Sequence, residues 1–325
     1  MNVLVTGANG LLGHHVVKEL LNQQHAVQII VRSKHQICFD LNSVRVFEGN
    51  FADYNTLLKA ACGCDAIIHI AAVRATNLLK ADDYRSVNVA GTAMVIKVAN
   101  ELCIHRIVYI SSANTVGYGN EQLIGDERLT IQAPFTNSFY AQSKVESEKL
   151  MVEASQKPGQ HIVIINPTFM IGAYDTKPSS GKLILMGYRR KMMVTPGGGK
   201  NFVSVRNVAL AVCNALTMGR NGERYLASGV NLSFKKFYTL QMEVGRYSQW
   251  ILILPDFLLV TIGKIGDLIR KLGIKTELCS MNLRQLLIRE YYTNTKAKTE
   301  LNLPDTDIKT SIKEAIDWFK EHNMA

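Results

Sequence analysis

The six cysteines of this chain, at 38, 62, 64, 103, 213 and 279, form no CxxC pair and sit beside no histidine cluster. That spacing argues against a zinc site and against a disulfide framework, so no metal is expected and a reducing, cytoplasmic setting is. Also missing is an apolar run long enough to span a bilayer. The longest, WILILPDFLLVTIG at 250–263, is broken by Pro255-Asp256 and reads as two amphipathic or buried pieces, helix packing in the cap being favoured over a hydrophobic pocket or a membrane-facing entry. Met1 runs directly into the strand-like NVLVTG with no basic leader before it, so no signal peptide is expected. Neither a repeat of solenoid period nor a low-complexity tract is present.

What remains is a globular composition, 47% hydrophobic and 20% charged over 325 residues. The net charge of +10 is unevenly placed: residues 1–165 hold 14 basic and 14 acidic groups, and residues 166–325 hold 23 and 13. Solvated Lys/Arg faces are the favoured reading, with attraction to an anionic substrate or a membrane surface as the less favoured one. The basic residues are not interleaved with aromatics, so nucleic acid is not an expected partner.

Short Val/Ile-rich runs at 2–6, 26–31, 44–47, 65–70, 105–111 and 161–166 alternate with helical patterns at about 11–24, 54–61, 83–103 and 138–156. Such βαβ alternation predicts an α/β fold with a doubly wound parallel sheet. After Asn166-Pro167 the pattern loosens into Gly/Pro-rich stretches and short elements. The expected division is therefore a dinucleotide-binding domain over 1–166 and a substrate-binding lobe over 167–325, interleaved with the last strands of the sheet.

The stretch VLVTGANGLLGHHVV (3–17) places Gly7, Gly10 and Gly13 between a strand and a helix. Glycines there allow a tight turn, close approach of a pyrophosphate and close helix–strand packing, and the helix N-terminus offers N–H groups to phosphate. The second strand ends in Arg32, Ser33 and Lys34, not in the acidic residue that would bind a ribose 2′-hydroxyl. A guanidinium at that point suits a 2′-phosphate, which favours NADP, with NAD as the alternative. Further on, SFYAQSKVESEK (138–149) sets Tyr140 and Lys144 one helical turn apart on one face. Glu146 and Glu148 read as the solvated residues of that helix. His14 and His15 lie on the first helix, and His69 ends a buried strand as a packed, hydrogen-bonded residue; none is expected to do chemistry.

In order along the chain, TGANGLLG, HIAA (69–72), SVNVAGT (86–92), VYISSANTVGYG (108–119), YAQSK (140–144), NPTFMIGAYD (166–175) and NFVSVRNVALAV (201–212) resemble the extended short-chain dehydrogenase/reductases. Within that superfamily the chain looks most like the dihydroflavonol-4-reductase and 3β-hydroxysteroid-dehydrogenase-like group. The resemblance implies a Rossmann-type sheet with a smaller, mainly C-terminal lobe. It also implies a catalytic set of Ser112, Tyr140 and Lys144, with Tyr140 as acid/base, its phenolate favoured by the Lys144 ammonium. Of the adjacent Ser111 and Ser112, which strand alternation points in opposite directions, resemblance favours Ser112. Around the cofactor it places Gly7, Asn9, Gly10, Leu11, Leu12, Gly13, Arg32, Asn50, Phe51, Ala71, Ala72, Val73, Asn88, Ser111, Tyr140, Lys144, Asn166 and Thr168.

The implied activity is NADP-dependent reduction of a carbonyl, or oxidation of a secondary alcohol, on a small apolar molecule. A nucleotide-sugar epimerase or dehydratase that retains NAD is the alternative, and a non-catalytic dinucleotide-binding sensor is a third reading. By resemblance, the helix bearing Tyr140 joins two copies in a homodimer.

Overall fold

The computed structural model describes residues 1–35, 37–75 and 77–325. In the first half, strands β1 (Asn2–Thr6), β2 (Ala26–Val31), β3 (Arg45–Glu48), β4 (Ala66–His69), β5 (Arg106–Ile110) and β6 (His161–Pro167) fall on the six apolar runs. Between them lie α1 (Leu11–Asn22), α2 (Tyr54–Ala61), α3 (Asp82–Tyr84), a π-helical turn (Arg85–Val89), α4 (Ala90–Glu101) and α5 (Phe139–Ser155). The second half adds β7 (Phe169–Ile171), β8 (Met192–Thr195), β9 (Gly199–Ser204), β10 (Arg224–Ala227), β11 (Val230–Ser233), β12 (Trp250–Ile253) and β13 (Arg289–Glu290). Its helices are α6 (Gly181–Gly187), α7 (Val205–Asn214), α8 (Phe234–Gly245), α9 (Asp256–Lys271), α10 (Ser280–Gln285), α11 (Thr295–Leu301) and α12 (Ile308–Glu321).

Seven strands form one parallel sheet in the order β10-β6-β5-β4-β1-β2-β3. Both faces are covered, which is why its strands are near-continuous Val/Ile runs instead of alternating ones. Val3, Val5, Ile29, Ile68 and Val163 face α1 and α7 in one core. Leu4, Ile30, Ile67, Ile107 and Ile164 face α2, α4 and α5 in the other. The strand order reverses between β1 and β4, and a crevice outside the carboxyl ends of the strands at such a point is where ligands bind in open α/β sheets.

The seventh strand, β10, comes from the second half of the chain and pairs with β6, so the lobe is interleaved with the sheet. Its own core gathers Ile171, Phe202, Phe237, Ile312 and Phe319, with Phe202 stacked on Phe237 at 4.4 Å. The run at 250–263 breaks at Pro255 into β12 and the start of α9, two pieces as expected, but the favoured packing of both is incomplete: Trp250 is 84% exposed and Phe257 68% exposed. Helical spacing identifies the faces of such a segment; it does not say which of them the fold covers.

Candidate active site

At the mouth of the sheet, Gly7 has φ +75°, and a Cβ on it would lie 2.7 Å from the Ala71 nitrogen. At Gly13 a Cβ would sit 2.1 Å from the Gly7 carbonyl oxygen. Both glycines are therefore required by close packing of turn, helix and the loop after β4. Gly10 is the N-cap of α1 and, having no side chain, leaves the first-turn N–H groups of Leu11, Leu12 and Gly13 without a side-chain cap. Asn9 stands half-buried beside them. An uncapped helix end in a glycine turn is a ready anion site.

Arg32 is exposed just past the end of β2. Lys34 is paired with Glu48 at 3.0 Å, whereas Arg32 has no carboxylate partner among the described residues. Asn50 closes a turn by accepting from the Ala52 N–H at 3.1 Å, which leaves its amide NH₂ outward. Phe51 packs inward on Gly91 and on the His69 ring, 5.4 Å away.

The loop after β4 hangs on side chains from three elements. The N–H groups of Ile70 and Ala71 both donate to Thr6 Oγ1 at 3.2 Å, so the Thr6 proton goes to His69 Nδ1 at 2.7 Å. Farther along, the Val73 N–H donates to Asn88 Oδ1 at 2.8 Å, and Asn88 Nδ2 donates to Val73 O and to Ser143 Oγ. Asn88 sits in the π-helical turn, and its freed carbonyl accepts from Ser147 Oγ at 3.1 Å. It thereby ties the loop of Ala71, Ala72 and Val73 to the helix of Tyr140. A π-turn at such a junction is a frequent device of functional sites.

His69 and His15 are packed residues. Burial lowers His69 to about 3 and His15 to about 4, so both stay neutral in the fold. The unfolded chain then binds more protons below pH 6.5, and stability must fall as pH drops from 6.5 toward those values, on the order of 3–5 kcal/mol for each. Melting temperature should decline steeply between pH 6.5 and 4, and His69→Gln should flatten part of the decline. A His69→Gln curve parallel to that of the wild type would place the acid sensitivity elsewhere.

At the end of β5 the two serines diverge as alternation requires. Ser111 is buried, and its hydroxyl has no hydrogen-bond partner among the described residues. Ser112 is half-buried and caps the turn at 113–115, accepting from the Asn114 N–H at 3.2 Å. Helix α5 starts one residue later than the spacing suggested, with Ser138 as N-cap. Tyr140 stands half-buried with the Ser112 hydroxyl beside it. Burial raises its phenol above 10, and the nearby Arg74 and Ser112 work in the opposite direction.

Lys144 is 2% exposed and does not reach Tyr140. Its Nζ donates to the Ile110 carbonyl at 2.7 Å and to Tyr109 Oη at 3.1 Å. Burial brings it down to about 7, against the opposing pull of Glu148. Among the described residues no hydrogen bond joins Lys144 to the Tyr140 phenol, and Arg74 is the cation that works against the upward shift of that phenol.

A correction concerns Glu148. It is buried, one turn beyond Lys144 on the same face as Tyr140, because 140, 144 and 148 repeat at four. Its Oε1 accepts from Asn166 Nδ2 at 2.6 Å and from Thr115 Oγ1 at 2.7 Å. Asn166 also donates to the Ser112 carbonyl at 3.1 Å and is 0% exposed. It therefore supports the serine turn from beneath and offers no surface to a dinucleotide. Thr168 donates to Asn201 Oδ1 at 2.7 Å, which ties β6 to the lobe. Glu146 is half-exposed and pairs with Arg85 at 2.6 Å. Sequence reasoning passed over Tyr109 and Glu148; the four-residue repeat was the available signal for the second, and Tyr109 was hidden in an apolar strand.

Beside Tyr140 opens a small cleft of about 120 Å³. Leu78, Phe139 and Met281 give it an apolar wall, and Asp267 and Arg270 of α9 face it. Arg270 also donates to the Leu78 carbonyl at 2.8 Å, which closes the lobe onto the sheet.

The sequence matches the NAD dependent epimerase/dehydratase family over residues 3–228. It is 30% identical to a Synechocystis sp. protein that carries the provisional name dihydroflavonol 4-reductase, over 98% of this chain and 94% of that one. It is 27% identical to sterol demethylase protein B of Methylococcus capsulatus, over 100% of both chains. Among solved structures, that of gox2253 superposes with a TM-score of 0.85 at 24% identity, covering 99% of this chain and 98% of that one. The UDP-glucose 4-epimerase of Thermus thermophilus in complex with NAD does so with 0.76 at 17%, covering 98% and 99%. The structural likenesses show the fold.

Proposed function

Because the chain belongs to the NAD-dependent epimerase/dehydratase family and is an NAD(P)-dependent oxidoreductase, we propose that it is an NADP-dependent reductase of a carbonyl group on a small apolar molecule. The observation that carries this reading is the meeting of Tyr140 and Ser112 at the carboxyl end of the sheet, beside an apolar-walled cleft, with Lys144 buried one turn along the same helix. The relatives named for a flavonol and for a sterol fit the same class of substrate.

The residues present suit a dinucleotide. The glycine turn and uncapped α1 would hold a pyrophosphate and Arg32 a 2′-phosphate, and Lys144 would have to turn from Ile110 and Tyr109 to hold the hydroxyls of the nicotinamide ribose. When bound, the reduced nicotinamide supplies the hydride. Ser112 hydrogen-bonds the substrate oxygen and turns it toward Tyr140, and the phenol of Tyr140 gives that oxygen its proton. Burial raises the Tyr140 phenol, so it carries the proton that carbonyl reduction requires of it. A panel of apolar ketones and aldehydes with NADPH consumption as readout tests the reading. Activity confined to nucleotide sugars, with NAD released on denaturation, would replace it by an epimerase.

Arg32 supplies the second expectation. Its exposed guanidinium has no carboxylate to satisfy, and a charge-assisted bond to a 2′-phosphate contributes about 1.5–3 kcal/mol. Arg32→Ala should therefore weaken NADPH binding by roughly 10- to 100-fold and leave NADH binding nearly unchanged, as measured by fluorescence titration. A wild-type protein that prefers NADH would defeat the assignment.

A further inference from the structure

Helix α9 has two faces with opposite requirements. Leu259, Gly263 and Gly266 are buried, and a Cβ at Gly263 would lie 2.8 Å from Ser280 Cα. On this inner side Asp267 and Arg270 face the cleft beside Tyr140. The outer side carries Leu258, Ile262, Ile265, Leu268 and Leu272, each between 38% and 72% exposed. Their spacing of four, three, three and four makes one stripe along the helix. Exposed Lys264 and Lys271 run along its edge.

The ribbon just before this helix repeats the pattern. β8 and β12 pair with Met192 opposite Trp250 and Val194 opposite Leu252, which sets these four side chains on one side. They are 60%, 84%, 40% and 56% exposed, in that order. Both strands emerge beside a basic groove lined by Arg189, Arg246, Lys313, Asp317 and Lys320. Lys313 is paired with Asp317 at 2.6 Å, whereas Arg189, Arg246 and Lys320 have no carboxylate partner among the described residues.

We infer that β12 and the outer face of α9 dock this protein onto an anionic bilayer surface, lying in its interface without crossing it. No described helix is long and apolar enough to cross a membrane. An apolar stripe edged by lysines is the composition of an interfacial helix, and tryptophan settles at headgroup depth. A second copy of the chain would also cover the stripe. It would, however, bring Lys264 and Lys271 of two copies together along the stripe, and like charges across an interface oppose association. An anionic lipid surface satisfies the stripe and these lysines at once. The docking does not depend on the reaction proposed above. It places the helix that walls the Tyr140 cleft against the lipid phase.

Sedimentation with vesicles of phosphatidylcholine and phosphatidylglycerol in equal parts, against phosphatidylcholine alone, provides the test. The wild-type protein should sediment with the mixed vesicles and bind the neutral ones at least about tenfold more weakly, given roughly 1 kcal/mol for each basic residue near the surface. Ile265→Asp/Leu268→Asp, which changes only exposed side chains, should weaken binding about tenfold or more. Lys264→Glu/Lys271→Glu should weaken binding to the mixed vesicles selectively. Wild-type protein that stays in the supernatant with both vesicles overturns the inference, as does undiminished sedimentation of the aspartate variant. So does a lipid-free dimer, seen by analytical ultracentrifugation, that the aspartate pair dissociates, since that would assign the stripe to a second copy.

Discussion

Tyr140→Phe should lower kcat for carbonyl reduction by about 10²–10⁴-fold while leaving NADPH affinity and the melting temperature close to wild type. The substitution removes one hydroxyl and keeps the ring, which stands half-buried with its centroid 6.5 Å from that of Tyr84. Its hydroxyl stands at the cleft beside that of Ser112, so losing it should change stability by less than about 1 kcal/mol. The rate loss follows from the state of the phenol. Burial holds it protonated through neutrality, and the substrate oxygen must acquire a proton from a donor within reach as the carbonyl is reduced. Phenylalanine has none to give. Single-turnover measurements with excess NADPH separate this step from cofactor binding. Wild-type turnover in the variant would remove Tyr140 from the chemistry, and a lowered NADPH affinity with kcat preserved would make it a binding residue instead.

The sheet was legible because a strand buried on both faces has to be apolar at nearly every position, and six such runs were plain. The glycine turn was legible because Gly7 and Gly13 stand where a Cβ has no room. Two other features were hidden for a common reason. Periodicity says which residues share a face, and it is silent on what the rest of the chain lays against that face. On α5 a default that treats carboxylates as solvated placed Glu148 outside, although its four-residue spacing from Lys144 already put the two together. In the run at 250–263 the default that favours packing for apolar side chains pointed inward, and Trp250, Phe257, Leu258 and Ile262 stand exposed. Tyr109, which holds Lys144 at 3.1 Å, was one residue in an apolar strand with nothing to mark its hydroxyl.

Glu148 carries the other large expectation, because its removal acts on stability and on the site by separate routes. Glu148→Ala leaves Asn166 Nδ2 and Thr115 Oγ1 without their common acceptor. It also removes the carboxylate 3.8 Å from Arg224. Asn166 and Thr115 keep the Ser112 carbonyl as an acceptor and Arg224 is partly exposed, so losing the shared carboxylate should cost about 1.5–3 kcal/mol of stability. Glu148→Gln restores an acceptor oxygen of similar shape, so most of that loss should be recovered. The charge is not restored. Lys144, held near 7 by burial with Glu148 pulling it upward, should then titrate at lower pH in both variants. If the ammonium of Lys144 is needed, the alkaline limb of kcat/KM for reduction should move to lower pH in Glu148→Gln even though the protein melts almost normally. That separation is what distinguishes a residue tuning Lys144 from one that only fills the space beneath Ser112. A Glu148→Gln enzyme with an unshifted pH profile would leave Glu148 the second role alone, and Lys144 would then owe its proton to the Ile110 carbonyl and Tyr109.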